Sequence, residues 1–405
     1  MEKEFIREMQ SSVTLNVTAG KIDSFRQIDK TTGTVRVYEN DCIGVAGCLG
    51  EPDEAELTER AKEALSFGIP YPCALEGALE KEELHEEEII PVPEFIPVMQ
   101  RFLDRLGERC PKFALSNKIM LGYQKSEYRN SLGRRLTSSG RQLAVELVVQ
   151  NRGSGNLFDT FLGWAGDRFD EEALMAQFGK EYDAFYTPVD IGPGRYPVVF
   201  EAHSLFGAFQ RHFVSDLYAT GASLLSGKMG SRVFSEKLTV KDDMNPQTSH
   251  GACFFDAEGC VGPDLRPSFV ENGVLKGVLT TKKSAGVYGL PNLGTADAAY
   301  DGVPDIGFHG LYLEPTARSL GELVPGKAVF VVIASGGDAT PDGHFATPVQ
   351  MAYLMENGEL VGRLPAINVS GGFFELFGKD YIGAVRDDPL KGSMLCASVM
   401  DVSKA

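Results

Sequence analysis

A nine-residue pattern, E-N-G-x-L-x-G-x-L, occurs twice in the second half of the chain, as Glu271-Asn272-Gly273-Val274-Leu275-Lys276-Gly277-Val278-Leu279 and as Glu356-Asn357-Gly358-Glu359-Leu360-Val361-Gly362-Arg363-Leu364. Asn-Gly between apolar runs is the strongest short hairpin signal, because both central residues of a type I′ turn need positive φ. The repeat predicts two related hairpins in one large sheet or barrel. Gly273 and Gly358 take the turn positions, where alanine should damage folding more than function.

The first half alternates strand and helix signals. Ser12 to Val17 and Thr34 to Val45 carry β-branched residues in rough alternation. Asp53 with Glu56 three residues on is a capping box, and Leu57, Ala61, Ala64 and Leu65 give its helix one apolar stripe that Gly68 and Pro70 end. The acidic run from Glu80 to Glu88 leads into Pro91, Pro93 and Pro97, and reads as a solvated linker before a helix over Val98 to Arg109. A half-buried strand is expected over Arg141 to Val149, and Asp170 to Phe185 has helical composition. The Gly192-Pro193-Gly194 cluster then marks a boundary. From Ala202 to Leu217 the residues Leu205, Phe209, Phe213 and Leu217 repeat every four positions, which predicts one prominent helix. With 405 residues, 43% of them hydrophobic, there is enough chain for two cores. The expected fold is α+β, with an N-terminal α/β domain over 1–190 and a mostly β domain over 191–405 that holds a large curved or barrel-like sheet.

The 39 Lys and Arg against 56 Asp and Glu give a formal charge of −17, which on average repels a duplex or an anionic bilayer. No apolar stretch approaches the ~20 residues that cross a bilayer, and Met1-Glu2-Lys3-Glu4-Phe5 begins no signal peptide. Seven thinly spread cysteines do not suit a disulfide framework. The expectation is a cytoplasmic protein with reduced thiols that binds neither nucleic acid nor membrane.

Common catalytic signatures are absent: no Gly-x-Gly-x-x-Gly between strand and helix, no phosphate loop, no Gly-x-Ser-x-Gly elbow. No two of the six histidines stand three to five residues apart, so His-Glu-x-x-His does not occur. His203 and His212 share the expected helix, yet nine residues at ~100° each place them on opposite faces, where they cannot bind one metal. His250, Cys253 and Cys260, with Asp242 and Asp243 upstream, form a ligand cluster by type, although their spacing lacks the paired Cys-x-x-Cys of structural sites. Ordinary buried cysteines and a surface histidine are the favoured reading of the cluster. Glu201 and His203 could form an acid/base pair at the helix start, but one residue of separation points them to different sides, which favours an ordinary surface pair.

An ordered series of blocks from Gly192 to Ser398 resembles the TldD/PmbA family, known historically as modulators of DNA gyrase and understood as a peptidase system. The blocks are Tyr196-Pro197-Val198-Val199-Phe200 before the helix, Gly230-Ser231-Arg232 with Leu238 to Asp243, Asp256-Ala257-Glu258-Gly259, and Glu271 to Leu279. Tyr312-Leu313-Glu314-Pro315 with Ser319 to Leu323, Gly343-His344-Phe345-Ala346, Glu356-Asn357-Gly358 and Gly383 to Asp388 follow in the family order. The resemblance implies that active TldD-type members hold zinc with His-Glu-x-x-x-His on the helix after the Pro-Val-Val strand and a cysteine near the C-terminus. Zinc there would polarise the peptide carbonyl and activate water while the glutamate handles protons. In this sequence that motif falls near Gln210-Arg211-His212-Phe213-Val214-Ser215: both ligand histidines are replaced, and Arg211 stands where the base should be. Arginine cannot act as a base near neutral pH, and its charge repels zinc.

The ending Gly392-Ser393-Met394-Leu395-Cys396-Ala397-Ser398 is similar to that of the PmbA branch, also called TldE, which lacks the zinc motif and pairs with a TldD subunit. The resemblance thus implies a non-metal partner subunit that shapes the chamber for an extended peptide, with no cofactor of its own and zinc only in a TldD-like partner. A homodimer is expected when that partner is missing. Arg386 and Asp387 replace the family's small Gly and Asn, a departure within the chamber region. Two alternatives stay open: a self-sufficient hydrolase using Glu201 and His203, or His250, Cys253, Cys260 and Cys396, and a peptide-binding scaffold without catalysis. Direct DNA binding does not fit the charge.

Overall fold

A computed structural model describes residues 1–249, 252–386 and 394–405. The N-terminal half is built on β1 (Glu2–Thr18), β2 (Lys21–Glu39), β3 (Cys42–Leu49), β4 (Ile69–Pro70), β5 (Leu79–Leu84), β6 (Phe113–Asn130), β7 (Arg134–Asn151) and β8 (Thr160–Gly166). They run in the order β4-β3-β2-β1-β6-β7-β5, with β8 also on β7, and only β5 is parallel to its neighbour. Alternation along β1 sorts its side chains by destination. Phe5, Val13, Leu15 and Val17 pack with the helices, whereas Glu4 and Ile6 meet residues beyond 250.

The helices are α1 (Glu54–Ala64), α2 (Val92–Arg109) and α3 (Glu171–Phe185). Asp53 caps α1 by accepting from the Ala55 and Glu56 amides, and Asp170 caps α3 through the Ala173 amide. Two sequence readings need correction. Thr34 to Val45 is not one strand, because Asn40 and Asp41 (φ 52° and 59°) form the turn between β2 and β3. Part of the acidic run is also not a free linker: Leu79–Leu84 pairs with β7. An edge strand takes its order from backbone bonds, so it tolerates charges on both faces. The helix after it begins at Val92, since Pro93 in the first turn lacks an amide that would be unsatisfied there anyway.

The C-terminal half opens with β9 (Gly194–Glu201), then α4 (Ala202–Gly207), a 3-10 turn (Gln210–Phe213) and α5 (Ser215–Ala219). The single long helix expected here is broken. Val214 is extended and bridges Leu279, whose carbonyl accepts from the Ser215 amide and whose amide donates to the Phe213 carbonyl. A small sheet follows, from β10 (Val240–Asp242), β11 (Ser268–Glu271) and β12 (Val274–Leu275), then α6 (Lys282–Tyr288), β13 (Ala296–Asp297), β14 (Asp305–Ile306) and β15 (Leu311–Leu313). Next come α7 (Leu320–Leu323), β16 (Lys327–Ala334), β17 (Asp338–Ala339), β18 (His344–Glu356), β19 (Glu359–Arg363), β20 (Ile367–Gly372), α8 (Phe373–Leu376), β21 (Tyr381–Arg386) and β22 (Met394–Lys404). The path β16-β9-β22-β20-β18 returns to β16, closing a five-stranded barrel in an α+β fold.

Both Asn-Gly turns form, with φ of 47° and 77° at Asn272 and Gly273 and 53° and 87° at Asn357 and Gly358. The hairpins lie in different sheets, however: β11–β12 in the small sheet, β18–β19 on the barrel. On β9, Val198 and Phe200 enter a core internal to the C-terminal half, while Val199 enters a core shared with Leu15, Phe102 and Phe178 of the other half.

Candidate functional site

Gln210 to Ser215, the expected motif position, lies on the 3-10 turn and the start of α5 rather than on α4, the helix that directly follows β9. His212 is 1% exposed, its ring lies 5.4 Å from that of Phe373, and its Nδ1 accepts from the Leu224 amide at 3.3 Å. Burial, followed by the charge of Arg211, lowers its pKa, so it is a neutral core histidine. Among the described residues its Nε2 and the buried Ser215 Oγ have no hydrogen-bond partner. Gln210 is half-buried and Arg211 exposed. His203, on α4, is exposed, and Glu201 accepts from Ser204 Oγ at 3.2 Å. Cys396 is buried opposite Phe200 on β9, and burial pushes its thiol up to about 12. Cys253 is half-buried against the Phe254 and Phe255 cluster. Cys260 is buried, with Asn292 Nδ2 donating to its sulfur at 3.2 Å. His250 and Asp387 lie outside the described residues. Arg386 donates to the Thr248 carbonyl.

Two arrangements escaped the sequence reading. Asp242, 0% exposed, accepts from the His309 and Gly310 amides and lies 2.8 Å from His309 Nδ1. Burial works against the imidazolium, but the Asp242 hydrogen bond and charge outweigh it and raise the His309 pKa. The second arrangement is a buried polar network between the halves. Glu4 accepts from Tyr38 and Tyr128 at 2.9 Å each and from Lys282 Nζ at 3.3 Å, with Arg36 Nη1 at 3.5 Å. Glu258 accepts from Tyr71 OH and from the Lys282 amide, both at 2.7 Å. Burial, then Asp256, pushes Glu258 up to about 7. Burial alone would lower the Lys282 pKa, but Glu4 and its acidic neighbours reverse the shift. No pattern in the chain announces that Glu4 will meet Lys282.

A cleft of about 350 Å³ lies at the seam of the halves. Val148, Phe158 and Phe161 form one wall, and Phe330, Ile333 and Leu395 the other. Glu201 and Ser204 stand at it as the polar lining.

Residues 193–402 match the family model described as the PmbA/TldA metallopeptidase C-terminal domain. The chain belongs to this family. Membership supports a peptidase-related role. A protein named zinc metalloprotease TldD homolog, from Saccharolobus solfataricus, is 27% identical over 60% of this chain and 58% of its own length. A metalloprotease from Archaeoglobus fulgidus is 25% identical over 95% of this chain and 92% of its own. The chain thus spans little more than half the length of the first of these relatives. The crystal structure of TldE from Thermococcus kodakarensis superposes with a TM-score of 0.84 at 20% identity, covering 100% of this chain and 96% of that one, a likeness of fold. For a PmbA/TldA chain the zinc question turns on the donors present. Gln210, Arg211 and Ser215 supply no imidazole or carboxylate, and His212 is held by Leu224 and Phe373. Among the described residues no three His, Cys, Asp or Glu converge on one point. This set does not fit the three-ligand zinc of a hydrolytic site.

Proposed function

We propose that this chain is the non-metal partner subunit of a cytoplasmic PmbA/TldA-type peptidase, shaping the chamber through which an extended peptide reaches zinc held by a TldD-like subunit. The observation that carries this reading is the lack of a metal-binding set: no His-Glu-x-x-x-His occurs in the sequence, and among the described residues no three His, Cys, Asp or Glu converge on one point. Gln210, Arg211 and Ser215, where the resemblance is expected to place the motif, offer no imidazole or carboxylate, and the neighbouring imidazole of His212 is committed to the core. A guanidinium cannot take a proton from zinc-bound water near neutral pH. The names of the relatives, metalloprotease and TldE, support a role beside a metallopeptidase. The edge of β8 away from β7 has no strand paired to it among the described residues, which suits backbone capture of an extended peptide without sequence preference.

Metal analysis and peptide cleavage on the purified chain, alone and after co-expression with a TldD-like subunit from the same genome, test this. Zinc and turnover are expected only in the mixed sample, with the chain alone free to form a homodimer. Stoichiometric metal with chelator-sensitive cleavage in the chain alone would overturn the reading.

A further inference from the structure

The cleft at the seam of the two halves has an acidic end and an apolar body. Glu201, the last residue of β9, is exposed, and Ser204 Oγ donates to its Oε2. That bond orients the carboxylate while leaving Oε1 and the serine lone pairs free to accept. Among the described lining residues Glu201 is the one charged group. Phe161 and Val148 face Phe330, Ile333 and Leu395 around the rest of the space. A volume of about 350 Å³ is within the range of sites that bury small ligands, ~300–1,000 Å³.

We propose that this cleft holds the amino-terminal end of a peptide whose leading side chains are apolar, with the α-ammonium on Glu201 and Ser204. The proposal rests on the chamber reading above and narrows its substrate. An ammonium offers three donors and no acceptor, which matches an acceptor-rich end. A peptide carboxylate there would meet Glu201 as a like charge. An internal lysine also offers an ammonium, but on a flexible stem whose immobilisation costs rotamer entropy. An α-amine sits beside its own first side chain, as Glu201 sits beside Leu395, its cross-strand neighbour on β22.

The test uses the full chain without any partner and a peptide Leu-Phe-Gly-Ser-Gly with a fluorophore on its C-terminal amide, in free and N-acetylated forms, followed by fluorescence anisotropy. At pH 7 the free amine is expected to bind at least tenfold more tightly than the acetylated form. The advantage should vanish at pH 10, where an α-amine of pKa ~8 is neutral. Glu201→Gln should bring the free peptide down to the acetylated level, and Ala334→Trp at the exposed mouth should abolish binding of both. Equal binding of the two peptides by the unaltered chain, or a preference that survives Glu201→Gln in a protein with an unchanged melting temperature, overturns the proposal. Amine preference lost while partner-dependent turnover persists would remove this pocket and leave the chamber reading standing. Amine preference kept without such turnover would do the reverse.

Discussion

Lys282 is 6% exposed and keeps its charge because its Nζ reaches both Glu4 Oε1 and the Glu258 carbonyl. Removing one partner of such a buried pair leaves the other charge uncompensated, which costs far more than the intact pair contributes. Lys282→Met is therefore expected to lose about 3–5 kcal/mol in urea unfolding. Adding Glu4→Gln should recover part of that loss, and a double variant as unstable as the sum of the singles would show the two groups to be independent. Neither residue was legible as important in the sequence, where Glu4 sits in an ordinary polar N-terminus and Lys282 in a Lys-Lys pair. The histidines and cysteines that chemistry singled out are mostly packed or surface groups. Residue type can be read from sequence, whereas the contacts that give Glu4 four donors come from strands and loops far apart in the chain.

Elements were legible where their signal is local. The Asp53 and Asp170 caps and both Asn-Gly turns are set by residues within four positions of one another. The expected helix over Ala202 to Leu217 failed because its interruption is imposed from outside, by the bridge between Val214 and Leu279. The turns allow a quantitative check. A Cβ at Gly358 would overlap the backbone of Gly321 and one at Gly273 the carbonyl of Phe234, whereas Gly20, at φ 84°, has nothing within 4 Å of that position. Gly20→Ala should cost only the positive-φ strain, about 1 kcal/mol. Gly273→Ala and Gly358→Ala should each cost clearly more, because their neighbours are backbone atoms that cannot swing away. Equal losses at all three sites in chemical denaturation would mean that the turns relax enough to remove the overlap.

At the scale of the whole molecule the two halves share a core, in which Leu15, Phe102 and Phe178 pack in one cluster with Val199, Phe330 and Tyr353. The polar network adds a second tie, since Glu258 accepts from Tyr71 of one half and from the Lys282 amide of the other. Heating should therefore give one calorimetric transition, with calorimetric and van't Hoff enthalpies in agreement. The network also gives that transition a pH dependence of known sign. Burial, followed by Asp256, raises the Glu258 pKa from 4.5 to about 7 in the folded protein. Between those values the native state binds more protons at this site than the unfolded chain does. The contribution of Glu258 is thus fully present below pH 4.5 and is lost as pH rises through 7. Other carboxylates titrate in the lower part of this range, so the comparison is with Glu258→Gln. The amide keeps an acceptor for Tyr71 but loses the one for the Lys282 amide, which lowers the melting temperature while removing the proton. The difference between parent and variant should therefore shrink as pH rises from 5 to 7.5. A difference independent of pH would mean that Glu258 does not carry the proton at the seam, and two separate transitions would mean that the shared core does not couple the halves.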